Sequence, residues 1–569
     1  MNERRQTLWL FLIAFWVLAV GYGLRDPWPA DEPRFVLVAK QMIDSGDWWF
    51  PHRGQELYAD KPPLFFWLLA LCRKLIGSWR WSFLLPSLLA GLGTLWLTFD
   101  LGRRLWNPRT GWWAAIAVLS TLQFAYVFKH AQIDPVLVLF TTLSFYGLCR
   151  HLLLGPHWRW FWGACFVAGL GVVLKGVGFL PLLALLPFAL MQRRRWQGLA
   201  DIGTGNVLRW CLGALAFFAA IALWFGPMLV AALAGGDPEH RAYLDDLLFK
   251  QTATRYAEAW QHRQPAWYFV EIIGLFWLPF SLALPWLWRD WRTAWRDRDA
   301  RVWLPLAWAL MVLVFFTASP GKRDMYILPA LPAFALAAAP FAQALWSRPR
   351  FRFAVWCFVL VLGVLLSAIG VAALTGHARF ATRLVEARGL GDEARGLWWL
   401  LAAVGAFALG CAATWRWPRP APAVVLSLVA LWTGYGLVVH PLLDPTSSSR
   451  ALMERARVLA GPKSTLGLID WKEQNLLQAV GPVTEFGFKA PRDQQLQRGV
   501  VWLQAAPGRR LLVQDRDQPE CLRLDAAHAV RVGMANRRDW WLADGRAVIA
   551  PCRRYDAPQS PTEDPSDSP

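Results

Sequence analysis

The stretch Phe353–Leu374, FAVWCFVLVLGVLLSAIGVAAL, contains no charged residue and follows directly on Arg348, Arg350 and Arg352. A helix rises about 1.5 Å per residue, so an uncharged run of about 20 residues matches a hydrocarbon core of about 30 Å. The arginines before it belong at a membrane surface. The pattern recurs along the chain, with apolar blocks at 8–24, 81–99, 111–128, 135–149, 160–174, 177–191, 208–228, 267–288, 302–317, 326–345, 353–374, 397–414 and 423–441. These thirteen candidate spans predict a polytopic α-helical membrane protein. Little more than Lys175-Gly176 separates the fifth span from the sixth, and the apolar run Leu64–Leu71 could extend the second toward its N-terminus.

Composition agrees. Of 569 residues, 56% are hydrophobic and 17% charged, against about 25% charged in a typical soluble domain. The mean hydropathy is +0.29. The 38 tryptophans gather near block ends, as at Trp48-Trp49, Trp112-Trp113 and Trp286/Trp288. Indole rings favour the headgroup level, so these read as aromatic belts. The net charge of +19 does not indicate nucleic acid, because the arginines sit in short loops between blocks rather than along one face. With the N-terminus in the cytoplasm, Arg103-Arg104, Arg193–Arg195, Arg289–Arg301, Arg348–Arg352 and Arg416/Arg419 all fall on the cytoplasmic side. The longer loops 25–80, 229–266 and 375–396 then face outward. The first block has no small-residue cleavage site after it and reads as an uncleaved span.

Residues 1–443 are therefore expected to form the membrane domain. From about Asp444 the composition changes to short apolar runs, Ser464–Ile469, Val500–Leu503 and Arg510–Val513, punctuated by polar residues, Gly and Pro. A helix-like segment lies near Asn475–Val480. Residues 444–556 are expected to form a small α/β domain, and 557–569, rich in Pro, Ser and acids, a disordered tail. After an odd number of spans this domain lies outside the cytoplasm. Cys521 and Cys552, the two cysteines of that region, are then expected to form a disulfide.

Loop 25–80 carries the chemistry. It reads Asp26-Pro-Trp-Pro-Ala-Asp31-Glu32-Pro33-Arg34, then Gly46-Asp47-Trp48, then Tyr58-Ala59-Asp60-Lys61-Pro62-Pro63-Leu64. Apolar residues at 35, 36, 38, 39, 42 and 43 predict a short amphipathic helix on the membrane surface. Asp31 and Glu32 can serve its N-terminus as caps. Arg34, one turn beyond Asp31, can share its face. Lys61 stands where Pro-Pro opens an apolar run. Two cations and a carboxylate at the bilayer surface suit a lipid-linked phosphate, which arginine grips bidentately and lysine as a point charge. Two further loops on that side carry charge: Asp134 before Pro135 at the mouth of the fourth span, and Lys322-Arg323-Asp324-Met-Tyr326, an exception to the charge rule that suggests a second contact to carrier phosphate or to an anionic acceptor.

Together, Asp-Glu-x-Arg, Gly-Asp-Trp, Lys-Pro-Pro-Leu, Asp134-Pro135, Lys175-Gly176 and the Lys322–Pro329 turn resemble the GT-C class of membrane glycosyltransferases. The sequence is most similar to the bacterial lipid A aminoarabinose transferases (ArnT) and, beyond them, to the protein O-mannosyltransferases. That resemblance implies a polyprenyl-phosphate sugar donor, with 4-amino-4-deoxy-L-arabinose as the sugar and lipid A or another envelope glycan as the acceptor, at the bacterial inner membrane. It makes Asp31 the essential acid and candidate base and Asp134 the second acid. Arg34 and Lys61 become phosphate ligands, and Tyr326 lies in a turn near the donor cavity. Some members bind a divalent metal ion beside the lysine, where this chain has Asp60. Phe35 and Ala59 depart from the family pattern, which often has aromatic residues of another kind or position there, and this leaves the sugar open. The competing readings are transfer to protein and a lipid flippase. Against a flippase, the charges sit in outer loops and no internal repeat is visible.

Overall fold

In the computed structural model, residues 3–203, 205–248, 264–391, 393–515 and 521–549 are described. Among the described residues, eight helices are long and apolar enough to cross a membrane: Trp79–Leu105, Ile133–Leu152, Val207–Ala234, Ala300–Ala318, Asp324–Ser347, Pro349–Leu374, Ala394–Trp415 and the run Ala421–Ala460. Tyr268–Phe276 and Phe280–Arg296 make a ninth if the pair, bent by 104°, counts as one span. The other four apolar blocks carry shorter helices: α1 (Glu3–Ala19), Pro108–Ser120 followed by Leu122–Val127, Trp158–Leu174, and Leu180–Arg193 with its leading 3-10 turn. The protein is a multi-pass membrane protein.

Small residues let these helices approach closely. A Cβ on Gly111 would lie 2.3 Å from the Phe99 carbonyl oxygen, which locks Pro108–Ser120 against the helix before it. Val207–Ala234 and Pro349–Leu374 bury few of their apolar side chains, as lipid-facing helices do.

Loop 25–80 is itself structured. Helix α2 (Asp31–Ser45) buries Phe35, Val36, Val38, Ala39 and Met42, the stripe that the periodicity predicts. Phe35 packs edge-on against Phe65 at 5.4 Å, on α3 (Leu64–Ile76). The apolar run at Leu64 thus forms a helix of its own instead of lengthening the second span, because Gly77 in left-handed conformation (φ 82°) ends it. Between α2 and α3, strands β1 (His52–Arg53) and β2 (Glu56–Leu57) form a small antiparallel hairpin. The Gly-Asp-Trp motif is punctuation. Gly46 (φ 75°) stops α2, and Asp47 Oδ1 accepts from the amides of Trp49 and Phe50, each at 3.1 Å.

After Ser449 the chain builds a five-stranded sheet in the order β4–β3–β5–β7–β6. Its strands are β3 (Thr465–Leu468), β4 (Val483–Glu485), β5 (Arg509–Gln514), β6 (Ala529–Ala535) and β7 (Arg538–Ala543). Strand β3 runs parallel to β4 and β5, whereas β7 is antiparallel to β5 and β6. Val500–Leu503 does not form a strand. It lies in the helix Arg492–Gln504, where Leu496, Val500 and Leu503 make one buried stripe at helical spacing. A four-residue apolar window is too short to separate the two periods. Cys521 is disulfide-bonded; Cys552, its expected partner, and residues 557–569 lie outside the described residues.

Alkylation of the denatured, unreduced protein should label Cys72, Cys149, Cys165, Cys211, Cys357 and Cys411, which are free, and leave Cys521 unlabelled. Mass spectrometry of the peptides checks this, and a labelled Cys521 would contradict the bond. By the chain-entropy model, reducing a bridge of Cys521 to Cys552 should cost about 3–4 kcal/mol.

Candidate active site

The site is framed by a buried ion pair. Arg25 and Glu32 are both buried and joined through both guanidinium nitrogens and both carboxylate oxygens, with Nη2 to Oε1 at 2.7 Å. Glu32 also accepts from the amides of Trp28 and Ala131, each at 2.8 Å. Arg25 donates to the carbonyls of Asp26 (3.1 Å) and Lys129 (3.0 Å), and the rings of Trp28 and Phe83 cover it at 4.8 and 5.2 Å. Burial opposes the carboxylate, but Arg25 holds the Glu32 pKa below its ordinary value. This pair ties the first turn of α2 to the segment 129–131 that leads into Ile133–Leu152. One end of the tie carries Asp31, the other Asp134. Glu32 is thus part of the frame and stands apart from the water-facing groups.

Asp31 is the first residue of α2 and follows its N-cap, Ala30, so it stands in the first turn beside Glu32, where a carboxylate complements the helix dipole. Its side chain stays partly exposed and lies 3.9 Å from Arg323 Nη1. Arg323 is held there because Gln123 Nε2 donates to the Asp324 carbonyl at 2.8 Å and is itself fixed by Trp277 Nε1, also at 2.8 Å. Lys322 is buried and donates to the Gln264 carbonyl at 2.9 Å. Tyr326, one turn along, places its ring 4.6 Å from Lys175 Nζ, which pairs with Asp134 Oδ1 at 2.6 Å. The path Asp31, Arg323, Tyr326, Lys175, Asp134 therefore links four separate segments. Lys175 escaped the sequence reading except as a motif letter; its signal was a lone lysine interrupting an apolar run.

Arg34 faces the C-terminal unit. Its Nε donates to Glu473 Oε1 at 2.8 Å, and Asp31 also acts on its charge. Burial opposes that charge, but Glu473 raises the Arg34 pKa above the ordinary arginine value. Arg53 Nη1 lies 3.5 Å from the same Glu473 oxygen, with its guanidinium over Phe488 at 3.8 Å and Tyr58 at 5.2 Å. Tyr58 is buried and hydrogen-bonds Arg34. Burial, then the charge of Asp60, raises its pKa well above that of a free phenol, so it stays protonated. Asp60 and Lys61 follow as partly buried residues at the foot of α3. Arg53 and Glu473 were invisible as site residues in the sequence, since nothing near either one marks it.

Among the described residues no group of three or more His, Cys, Asp or Glu is placed to hold a metal ion. Asp60 belongs to no such cluster, so the donor set around it does not fit the metal site that the resemblance offers.

Residues 60–225 match the family model described as dolichyl-phosphate-mannose-protein mannosyltransferase. The fold is shared with ArnT from Cupriavidus metallidurans, solved in complex with undecaprenyl phosphate: the TM-score is 0.71 at 19% identity, over 94% of this chain and 97% of that one. The apo structure of the same protein gives 0.71 at 20% identity, over 96% and 100%. These likenesses give the fold, and relatives similar over three quarters of the chain give the class, a membrane glycosyltransferase. Undecaprenyl phosphate-alpha-4-amino-4-deoxy-L-arabinose arabinosyl transferase from Pseudomonas aeruginosa is 31% identical over 445 residues, 76% of this chain and 75% of the relative. The enzyme of that name from Edwardsiella ictaluri is 28% identical over 459 residues, 75% and 76% of the two chains. The chain belongs to this arabinosyl transferase family.

Glu32→Gln leaves Arg25 buried without its counter-charge and should cost about 3–5 kcal/mol. A large fall in melting temperature of the detergent-purified protein, with activity lost in parallel, is the expected result.

Proposed function

We propose that this enzyme transfers 4-amino-4-deoxy-L-arabinose from undecaprenyl phosphate to lipid A at the outer face of a bacterial inner membrane. The observation that carries the reading is the meeting of Asp31 with Arg323 at 3.9 Å, one helical turn from Arg34, on a chain related over three quarters of its length to arabinosyl transferases. The placement of basic loops and the oxidised Cys521 support thirteen crossings, a cytoplasmic N-terminus and a periplasmic C-terminal domain over 444–556. They fit a Cys521–Cys552 bridge as well.

The reaction is a displacement at the anomeric carbon. An acceptor oxygen forms a bond to that carbon as the bond to the carrier phosphate oxygen breaks, and polyprenyl phosphate leaves. Negative charge grows on the phosphate, where Arg34 and Lys61 stabilise it. A lipid A phosphate is already a nucleophilic anion and needs no strong base. Asp31 then acts by positioning, holding Arg323 toward the anionic acceptor, while Lys322 and Tyr326 shape that side. A hydroxyl acceptor would call on Asp31 as a base. Asp134 acts through Lys175, keeping its ammonium at the face of Tyr326.

Asp31→Asn keeps the shape of the side chain. It should leave the melting temperature near wild type and lower turnover by about 10²-fold where Asp31 positions Arg323, and by up to about 10⁴ where it serves a hydroxyl acceptor as base; wild-type turnover would remove Asp31 from the mechanism. Arg34→Ala and Lys61→Ala should each weaken carrier binding about tenfold or more, the loss of one charge-assisted hydrogen bond. Mass spectrometry of lipid A from cells with and without the protein tests the reaction itself. An unchanged lipid A beside another altered envelope glycan would move the acceptor assignment there.

A further inference from the structure

The C-terminal unit meets loop 25–80 at several points, and most of them are structural. Gln55 N donates to Glu485 Oε1 at 2.8 Å, and Glu485 Oε2 accepts from its own neighbour Gly487. Glu56 Oε1 accepts from Lys489 N at 3.0 Å. Asp26 is gripped bidentately by Arg450, at 2.6 Å on each oxygen. These contacts dock the unit without using the arginines of the donor site.

Glu473 is different. One oxygen of this nearly buried carboxylate stands 2.8 Å from Arg34 Nε and 3.5 Å from Arg53 Nη1. It opens the short helix Glu473–Leu477, whose start is fixed by Asn475 Oδ1 accepting from Lys472 N at 2.9 Å and by Asn475 reaching Ser449. The carboxylate is therefore presented from a rigid mount. Two guanidiniums converging on one oxygen are the arrangement in which arginines hold a phosphate oxygen, and a carboxylate is the nearest protein equivalent of that anion.

We propose that Glu473 belongs to the donor site as a displaceable counter-ion: it occupies Arg34 and Arg53 when no carrier phosphate is bound, and yields them when one arrives. The proposal rests on the reading of Arg34 as a phosphate ligand. Its chemical consequence lies in product release. The donor is a phosphodiester with one negative charge; the leaving polyprenyl phosphate is a monoester with a charge of about −1.5 to −2 at neutral pH. A cluster of cations suited to the growing charge would hold that product too firmly. A carboxylate on a fixed mount competes for the same guanidiniums and speeds its departure. The C-terminal unit thereby contributes a residue to the reaction cycle of the membrane domain.

The test is equilibrium binding of undecaprenyl phosphate to the full-length protein in nanodiscs, comparing wild type with Glu473→Gln, Glu473→Asp and Arg34→Ala, with melting temperatures alongside. Glu473→Gln removes the competing charge at constant shape and should tighten binding about tenfold. Glu473→Asp withdraws the carboxylate by one methylene and should tighten it by a smaller factor. Arg34→Ala should weaken it. A purely structural Glu473 would give unchanged or weaker binding in both Glu473 variants; with Arg34→Ala still weakened, that result overturns the counter-ion role and leaves the donor site standing. Unchanged binding in Arg34→Ala overturns the phosphate assignment and the counter-ion role with it. If Glu473→Gln does not fold, the direction of the change in Glu473→Asp decides.

Discussion

The buried pair of Arg25 and Glu32 is the constraint on which the site depends. Taking two charges out of water costs several kcal/mol per ion, and attraction offsets this only when the hydrogen bonds are nearly complete. Here the carboxylate accepts from two backbone amides besides the guanidinium, which itself reaches two carbonyls. One nitrogen, Arg25 Nε, finds no partner among the described residues. Because the amide of Ala131 and the carbonyl of Lys129 belong to the loop before Ile133–Leu152, the pair cannot form unless that loop and α2 are in register. Satisfying Glu32 therefore sets the distance between the two acids at its flanks, Asp31 and Asp134.

A second layer of constraint comes from the C-terminal unit. Asp444 accepts from Asp26 N at 2.8 Å and from Trp28 Nε1 at 2.9 Å, so the loop that starts the site is held from above as well as from within. The hairpin β1–β2, which is too short to be stable alone, is bound on one side by Gln41, whose amide bridges both polar groups of Gly54. On the other side Glu485 and Lys489 hold it. Arg53 at the first strand is consequently aimed at Phe488 and Glu473.

Much of the architecture was legible in local pattern. Uncharged runs of helical length show in the sequence as spans, since the bilayer demands internally bonded backbone of a set length. The stripe at 35–43 showed as an amphipathic helix, and the motifs around Asp31, Lys61 and Lys322 marked a charged site on one face. Local pattern misled where the window was short, as at Val500–Leu503, and where one residue type has two uses. Asp31 and Glu32 are adjacent acids at a helix start, yet one faces water beside Arg323 and the other is buried under Arg25. Helical geometry turns successive residues by about 100°, and only the packing around the helix says which direction is wet.

By itself the sequence determined a multi-pass helical membrane protein and showed a first loop rich in acids and cations, because those follow from hydropathy, spacing and residue chemistry within a few turns. Tertiary structure alone decided their partners. Glu473 reaches Arg34 across 439 positions, Ala131 reaches Glu32 across 99, and Lys175 reaches Asp134 across 41. The energy of a charge depends on its distance to other charges and on the water left around it, and neither quantity is local in the chain. Folding supplies both, which is why the carboxylate that answers Arg34 and Arg53 comes from a part of the chain far from them in sequence.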